Sequence, residues 1–166
     1  MPERQTVRRA KKQLQRGRSA STAAREFVRE EMHHTREGRH GAKSAKQAVA
    51  IGLSKARRAG VPLRPPGRGT VKAPTRKSAR QAYAAGQRRR KSRPSRARSR
   101  AALRRLRRQP HRAASHRALA AQASRSAKLR GRRARVAAAR KAVRTKGPAG
   151  RRAAARKAAA TRRRHA

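Results

Sequence analysis

The residues able to do acid–base or metal chemistry in this chain are gathered near its start. Its five carboxylates are Glu3, Glu26, Glu30, Glu31 and Glu37, and none follows Glu37. His33 and His34 stand among them. On a helix, Glu30, His33, His34 and Glu37 share one face at spacings of three, four and seven, which is compatible with a metal site. Surface charge pairs use the same spacing. A solvated helix face with ordinary pairs to Arg25, Arg29 and Arg36 is the expected role. Catalysis needs a base, a nucleophile or a metal held in a dry pocket, and no such constellation is legible. No catalytic residue, no metal and no cofactor are expected, and the chain is not expected to be an enzyme. Gly67-Arg68-Gly69 has neither the spacing nor the strand–helix setting of a phosphate loop.

The second chemistry is phosphate neutralisation, and it dominates. Residues 38–166 hold 43 Lys and Arg and no acid, so no side chain among those 129 residues offers a counter-charge. The neutralising partner must come from outside, and nucleic acid is the abundant cellular polyanion. The basic residues are 41 Arg and 12 Lys. Arg brings a planar fork suited to phosphate oxygens and stays charged at any cellular pH. A formal charge of +48 would neutralise roughly 80 Å of duplex axis, at one charge per about 1.7 Å. The candidate phosphate contacts are the clusters Arg88, Arg89, Arg90 and Lys91; Arg104, Arg105, Arg107 and Arg108; Arg132 and Arg133; Arg151 and Arg152; and Arg162, Arg163 and Arg164. Aromatic stacking platforms are nearly absent: Phe27 and Tyr83 are the only aromatics, and Tyr83 is the one candidate for stacking on a base. The expected binding is therefore insensitive to base sequence, with DNA favoured and RNA open.

The elements that position these residues are helical. Leu, Ile, Val and Phe number 16, about a tenth of the chain, which with this net charge lies in the disordered regime. Against that background some segments carry pattern. Residues 4–16 could form a short basic helix with Val7, Ala10 and Leu14 on one side, stopped by Gly17. Residues 19–22 suit the start of a second helix, in which Ala24, Phe27, Val28 and Met32 fall at helical spacing. Residues 44–60 are the clearest element. Ser44 and Gln47 form a capping box. Ala45, Ala48, Val49, Gly52, Leu53, Ala56 and Ala59 make one apolar stripe, with Gly60 and Pro62 at its end. Residues 61–74 hold four prolines and two glycines and read as an extended linker. The chain then repeats itself: Lys43–Gly52 and Lys77–Gly86 share seven of ten residues, and Ser78 and Gln81 match the capping box again. Beyond Gln87 the sequence is Arg/Ala/Ser low complexity. Disorder in the free chain and partial helix against phosphates are expected there, segmented by Pro110, Gly131 and Gly147-Pro148. The heptad spacing of Leu129, Val136 and Val143 is no coiled coil, because Arg132, Arg133 and Arg140 occupy the complementary seam.

The run Lys43-Ser-Ala-Lys-Gln-Ala-Val-Ala-Ile-Gly-Leu-Ser-Lys-Ala-Arg57 resembles a family of short, basic bacterial proteins of unassigned function. Their signature reads approximately K-S-x-K-Q-A-I-A-I-G-L-S-x-A-R. Met32-His33 and Gly38 are similar to an upstream Met-His and Gly turn of that family, and Lys55 stands where it often has Glu. The resemblance spans about residues 25–60. It implies a small helical domain and supplies no reaction and no binding residues. The tail is similar to linker-histone tails in composition only.

The reading as a whole is a mostly disordered chain with short α-helices: a small helical N-terminal module and an Arg/Ala-rich basic tail. Its divisions are a basic arm (1–21), the module (22–60), a Pro/Gly linker (61–76), a partial repeat helix (77–91) and the tail (92–166). Phe27, Val28, Met32, Val49, Leu53 and Ala56 are the expected core. So small a core rarely supplies more than about 3–5 kcal/mol, which leaves room for self-association or a protein partner through residues 22–60. The expected function is sequence-nonspecific, histone-like binding and compaction of DNA in the nucleoid of the cytoplasm. The alternative is a protein-interaction or plasmid/phage-maintenance adaptor whose tail only tethers it to nucleic acid. No run approaches the roughly 18 apolar residues of a membrane span, and no stretch pairs a basic face with a bulky apolar one, so no membrane role is expected. With no cysteine, disulfides, thiolate zinc sites and thiol catalysis are excluded.

Overall fold

A computed structural model of the chain describes residues 2–88 and 95–163. Its elements are α1 (Arg4–Gln15), α2 (Ala20–Arg36), α3 (Ala45–Arg58), α4 (Ala73–Gln87), α5 (Arg96–Arg107), a 3₁₀ turn (His111–Ala114), α6 (His116–Leu129) and α7 (Gly131–Arg163). The described residues are 78% helix, and none of them is in a strand. The expectation of a mostly disordered chain is thereby corrected. Two physical reasons account for the error. The apolar count undervalues alanine, which here carries most of the helix contacts. In α7, charge repulsion at i, i+4 is also weaker than the Arg content suggests. Most cations of α7 have Ala, Val or Thr four residues on, and only Arg140–Arg144 and Arg152–Arg156 place like charges at i, i+4. Ala and Arg are both strong helix formers, so local propensity prevails.

The chain divides into two compact units, Met1–Gln122 and Ala123–Ala166. In the first, α2 packs between α1 and α3, α3 packs on α4, and the 3₁₀ turn lies against α2 and α3. Two clusters form the interior. One holds Phe27 and Ala24 of α2, Ala10 of α1, Ala56 of α3 and Val61, with Val7, Leu14, Leu53 and Leu63 closing around it. The other holds Met32, Ala42, Ala48, Ala113 and Ala114, bordered by Val28, Val49 and Leu119. Phe27, Met32 and Ala56 are buried as expected, while Val28, Val49 and Leu53 are half-buried at the cluster edges.

The caps show why these helices begin where they do. Ser19 accepts from Thr22 N–H at 3.3 Å, and Ser44 accepts from Gln47 N–H at 3.3 Å. Gln47 completes the second arrangement by accepting from Lys43 N–H at 2.8 Å, one residue earlier than an ideal capping box. The copy at Ser78 and Gln81 caps nothing. Pro74 sits in the first turn of α4, so that helix starts at Ala73 and Ser78 falls in its interior.

The repeat has a packing meaning instead. Ala45, Ala48 and Gly52 of α3 correspond to Ala79, Ala82 and Gly86 of α4, and the four alanines are buried. A Cβ on Gly52 would lie 2.7 Å from Val28 Cα, and one on Gly86 would meet the Arg57 carbonyl oxygen. Each copy thus lays a small-residue face against the preceding helix, closely enough that the backbones touch.

Residues 106–114 join the core from within the segment read as tail. Gly41 N–H donates to Leu106 O at 3.0 Å, Ala42 N–H donates to Pro110 O at 3.1 Å, and Arg36 Nε donates to Ala114 O at 2.8 Å. In the second unit, α7 is interrupted at Gly147 (φ 62°, ψ 179°), a conformation open to glycine, and Pro148 restarts the helix. No residue of α5, α6 or α7 is buried.

Candidate nucleic-acid interface

The acids are arranged first, because they decide which cations remain free. Glu26 lies 3.4 Å from Arg9 Nε. Glu30 accepts from Glu3 N–H at 3.2 Å and lies 3.5 Å from Lys55 Nζ. Glu31, fully buried, lies 2.7 Å from Lys55 Nζ and 3.4 Å from His40 Nε2. Glu3 meets His34 Nε2 at 2.9 Å and Arg39 Nη1 at 3.1 Å. Glu37 meets His33 at 3.0 Å and Arg39 Nε at 3.0 Å. All five carboxylates are therefore engaged inside the first unit.

The expected solvated helix face is corrected in part by this geometry. His33 and Glu37 do form an exposed i, i+4 pair. Glu30 and His34, read as members of the same solvated face, are buried. They face Glu3 at the start of α1, Lys55 of α3 and Arg39 of the loop after α2, and apart from Arg39 these partners lie 25 to 31 residues away. Helical periodicity cannot reveal partners at that separation.

The hydrogen bond from His34, reinforced by Arg39, holds the Glu3 carboxyl below its ordinary value. A carboxyl with a depressed folded-state pKa contributes stability that is present above the unfolded value and lost as pH falls through the folded one. Acid titration followed by circular dichroism is expected to show stability declining below about pH 4.5, the ordinary value for Glu3. Glu3→Gln is expected to flatten that decline. Burial pushes the Arg57 guanidinium down from its usual value, and its Nε donates to Leu63 O at 3.2 Å. It remains charged at neutral pH.

The candidate arginines take no part in these pairs. Arg88 caps the C-terminus of α4, Arg104, Arg105 and Arg107 lie on α5, and Arg108 caps it. Arg132 and Arg133 open α7, and Arg151, Arg152, Arg162 and Arg163 line its second half. All of these are exposed. Arg89, Arg90, Lys91 and Arg164 lie outside the described residues. Among the described residues, no carboxylate side chain pairs with a cation beyond Lys55. On α7, Arg132, Arg133, Arg140, Lys141 and Arg144 gather on one side around Val136 and Ala137, an arrangement clusters of adjacent arginines do not announce. Tyr83 is half-buried on α4.

The helices α1 to α4 and the 3₁₀ turn form the part of the chain with buried contacts. Residues 11–68 match the model of a family of unknown function (DUF6496). No curated protein and no solved structure matches the chain. The DUF6496 segment contains residues 43–57 and both helices that bury Phe27, Met32 and Ala48. It also contains four of the five acids, all but Glu3. The exposed arginines of α5 and α7 lie outside it. Among the described residues no helix is long and apolar enough to cross a membrane.

Proposed function

We propose that this protein binds nucleic acid without base-sequence specificity, DNA in preference to RNA, by neutralising phosphates along its arginine-bearing helices, and that it compacts or bridges DNA as a nucleoid-associated protein. One observation carries this reading: every acid is engaged in pairs inside the first unit, while the arginines of α5 and α7 stand exposed with no carboxylate partner. Such a surface draws condensed counterions off a duplex, and the entropy of their release drives binding. Exposed Arg faces on separate helices suit contact with more than one stretch of backbone. No step of this role requires catalysis or a cofactor.

The test is a salt titration of binding to two duplexes of unrelated sequence. Affinity is expected to fall by about 10³–10⁵ between 50 and 200 mM salt, as for about six to ten phosphate contacts, and equally for both duplexes. A shallow slope, or strong preference for one duplex, would count against the proposal.

A second reading is favoured by the buried ion-pair network and shaped helix contacts of the DUF6496 segment, which bulk electrostatics does not need. In that reading the segment is an adaptor that binds a protein partner, and the basic helices only hold it on nucleic acid. Retention of a specific protein partner after removal of the second unit would favour it.

A further inference from the structure

The buried acids raise a question that the arginine surface does not answer. Glu31 is completely shielded from solvent, yet no hydrogen bond is directed at either of its carboxylate oxygens. Lys55 Nζ is close to Oε2, at 2.7 Å, and compensates charge there. Oε1 faces His40 Nε2 at 3.4 Å. His34, one turn along α2 from Glu31, is buried beside them. Gly38, at φ 75°, turns the chain after α2 so that His40 comes back against that helix. One donor atom from each of Glu31, His34 and His40 lies within 4.8 Å of the others.

We propose that Glu31, His34 and His40 form a binding site for a single divalent transition-metal ion of the zinc class. Ligand type, spacing and orientation support it. Two imidazoles and one carboxylate are a donor set suited to zinc, cobalt or nickel rather than to calcium or magnesium. Metal–ligand bonds of about 2.0–2.1 Å in a tetrahedron separate adjacent donors by about 3.3–3.4 Å, and His40 Nε2 and Glu31 Oε1 already stand 3.4 Å apart. His40 Nδ1 lies 3.3 Å from Gly41 O, a partner for its N–H that leaves the Nε2 lone pair toward Glu31. The His34 and His40 rings are nearly perpendicular, at 87° with centroids 6.2 Å apart, so the two do not stack. Glu3, 2.9 Å from His34 Nε2, adds a second carboxylate at the margin.

Two cations oppose the ion. Lys55 sits on the far oxygen of Glu31, and Arg39 Nη1 lies 3.1 Å from His34 Nε2. Their repulsion lowers affinity relative to a site without them, and it supplies a sharp test. Neutralising Lys55 destabilises a buried ion pair, yet in the presence of metal it should tighten the site.

The experiment uses the full-length, chelator-treated protein free of nucleic acid, titrated with Co²⁺ near neutral pH. One equivalent is expected to produce the intense visible absorption of low-coordinate cobalt, and Zn²⁺ is expected to abolish it. His40→Asn and His34→Asn are expected to lose the band, while His33→Ala and His116→Ala keep it. Lys55→Gln is expected to bind cobalt several-fold more tightly. A wild-type protein with no band saturating at one equivalent overturns the proposal whatever the variants do. So does a band that survives His40→Asn, or a Lys55→Gln protein that binds more weakly.

Discussion

A chain ending at Arg130 is expected to bind duplex DNA at least about a hundredfold more weakly than the full-length protein at moderate salt, with its thermal unfolding unchanged. The cut removes α7 at the glycine that separates it from α6. It takes away 14 of the 53 Lys and Arg and no acid. If half of those cations meet a phosphate, the log–log salt slope becomes shallower by about six, at roughly 0.9 per contact. Stability should not follow, because no residue of α7 is buried. A cut at residue 87 would confuse the two effects, since it would also strip Ala113 and Ala114 from the core. Fluorescence anisotropy across a salt series, beside a melting curve, is the measurement. Unchanged affinity would leave the binding surface on the first unit, which carries α5, and would remove α7 from the proposed function.

The converse is expected of Phe27→Ala: cooperative unfolding is lost, while binding to DNA at low salt largely persists. Phe27 is fully buried and, among the described residues, is the only bulky apolar side chain so enclosed. Its buried neighbours are Ala10, Ala23, Ala24, Ala56 and Val61, which have too little side chain to collapse into the space. Truncating a buried Phe typically costs about 3–5 kcal/mol, which is comparable to everything a core of this size supplies. Urea titration followed at 222 nm should show a broad, low-midpoint transition in place of a cooperative one. Low-salt affinity depends on exposed charge, which the substitution leaves untouched. A cooperative transition within about 1 kcal/mol of the parent would mean that the module rests on its ion pairs rather than on Phe27. The two variants together separate folding from binding.

The central helices were legible because they announce themselves locally. Ser44 and Gln47, a stripe through Leu53 and Ala56, and a terminal glycine all point to one helix, and α3 runs Ala45–Arg58. Gly131, Gly147-Pro148 and Pro110 likewise mark real breaks, because their backbone chemistry acts over one or two residues. What the pattern could not show was distance. Glu3 and His34 meet across 31 residues, and Arg36 meets Ala114 across 78. Ala113 and Ala114 sit in an Arg-flanked stretch with no hydropathy contrast, so nothing local marks them as core. His40 carried no signal because it lies on a loop, outside any helical period. The arginine surface was the easiest part to read, since counting charges needs no geometry. Its arrangement along one side of α7 did require the helix.

The close contact of α3 with α2 through Gly52, and of α4 with α3 through Gly86, reverses the usual direction of mutational risk. In an ordinary interior the harmful substitutions are those that delete methyl groups. Here the interfaces contain little to delete: Ala23, Ala24, Ala42, Ala48, Ala56 and Ala114 are fully enclosed, and each already bears the smallest side chain after glycine. Harm comes from gain of volume. An alanine codon becomes a valine or threonine codon by a single transition, and at these enclosed positions the added atoms have no free space to occupy. Selection on this module therefore acts against growth of its side chains, and a chain composed largely of alanine, glycine and arginine can keep a defined shape for as long as those alanines stay small.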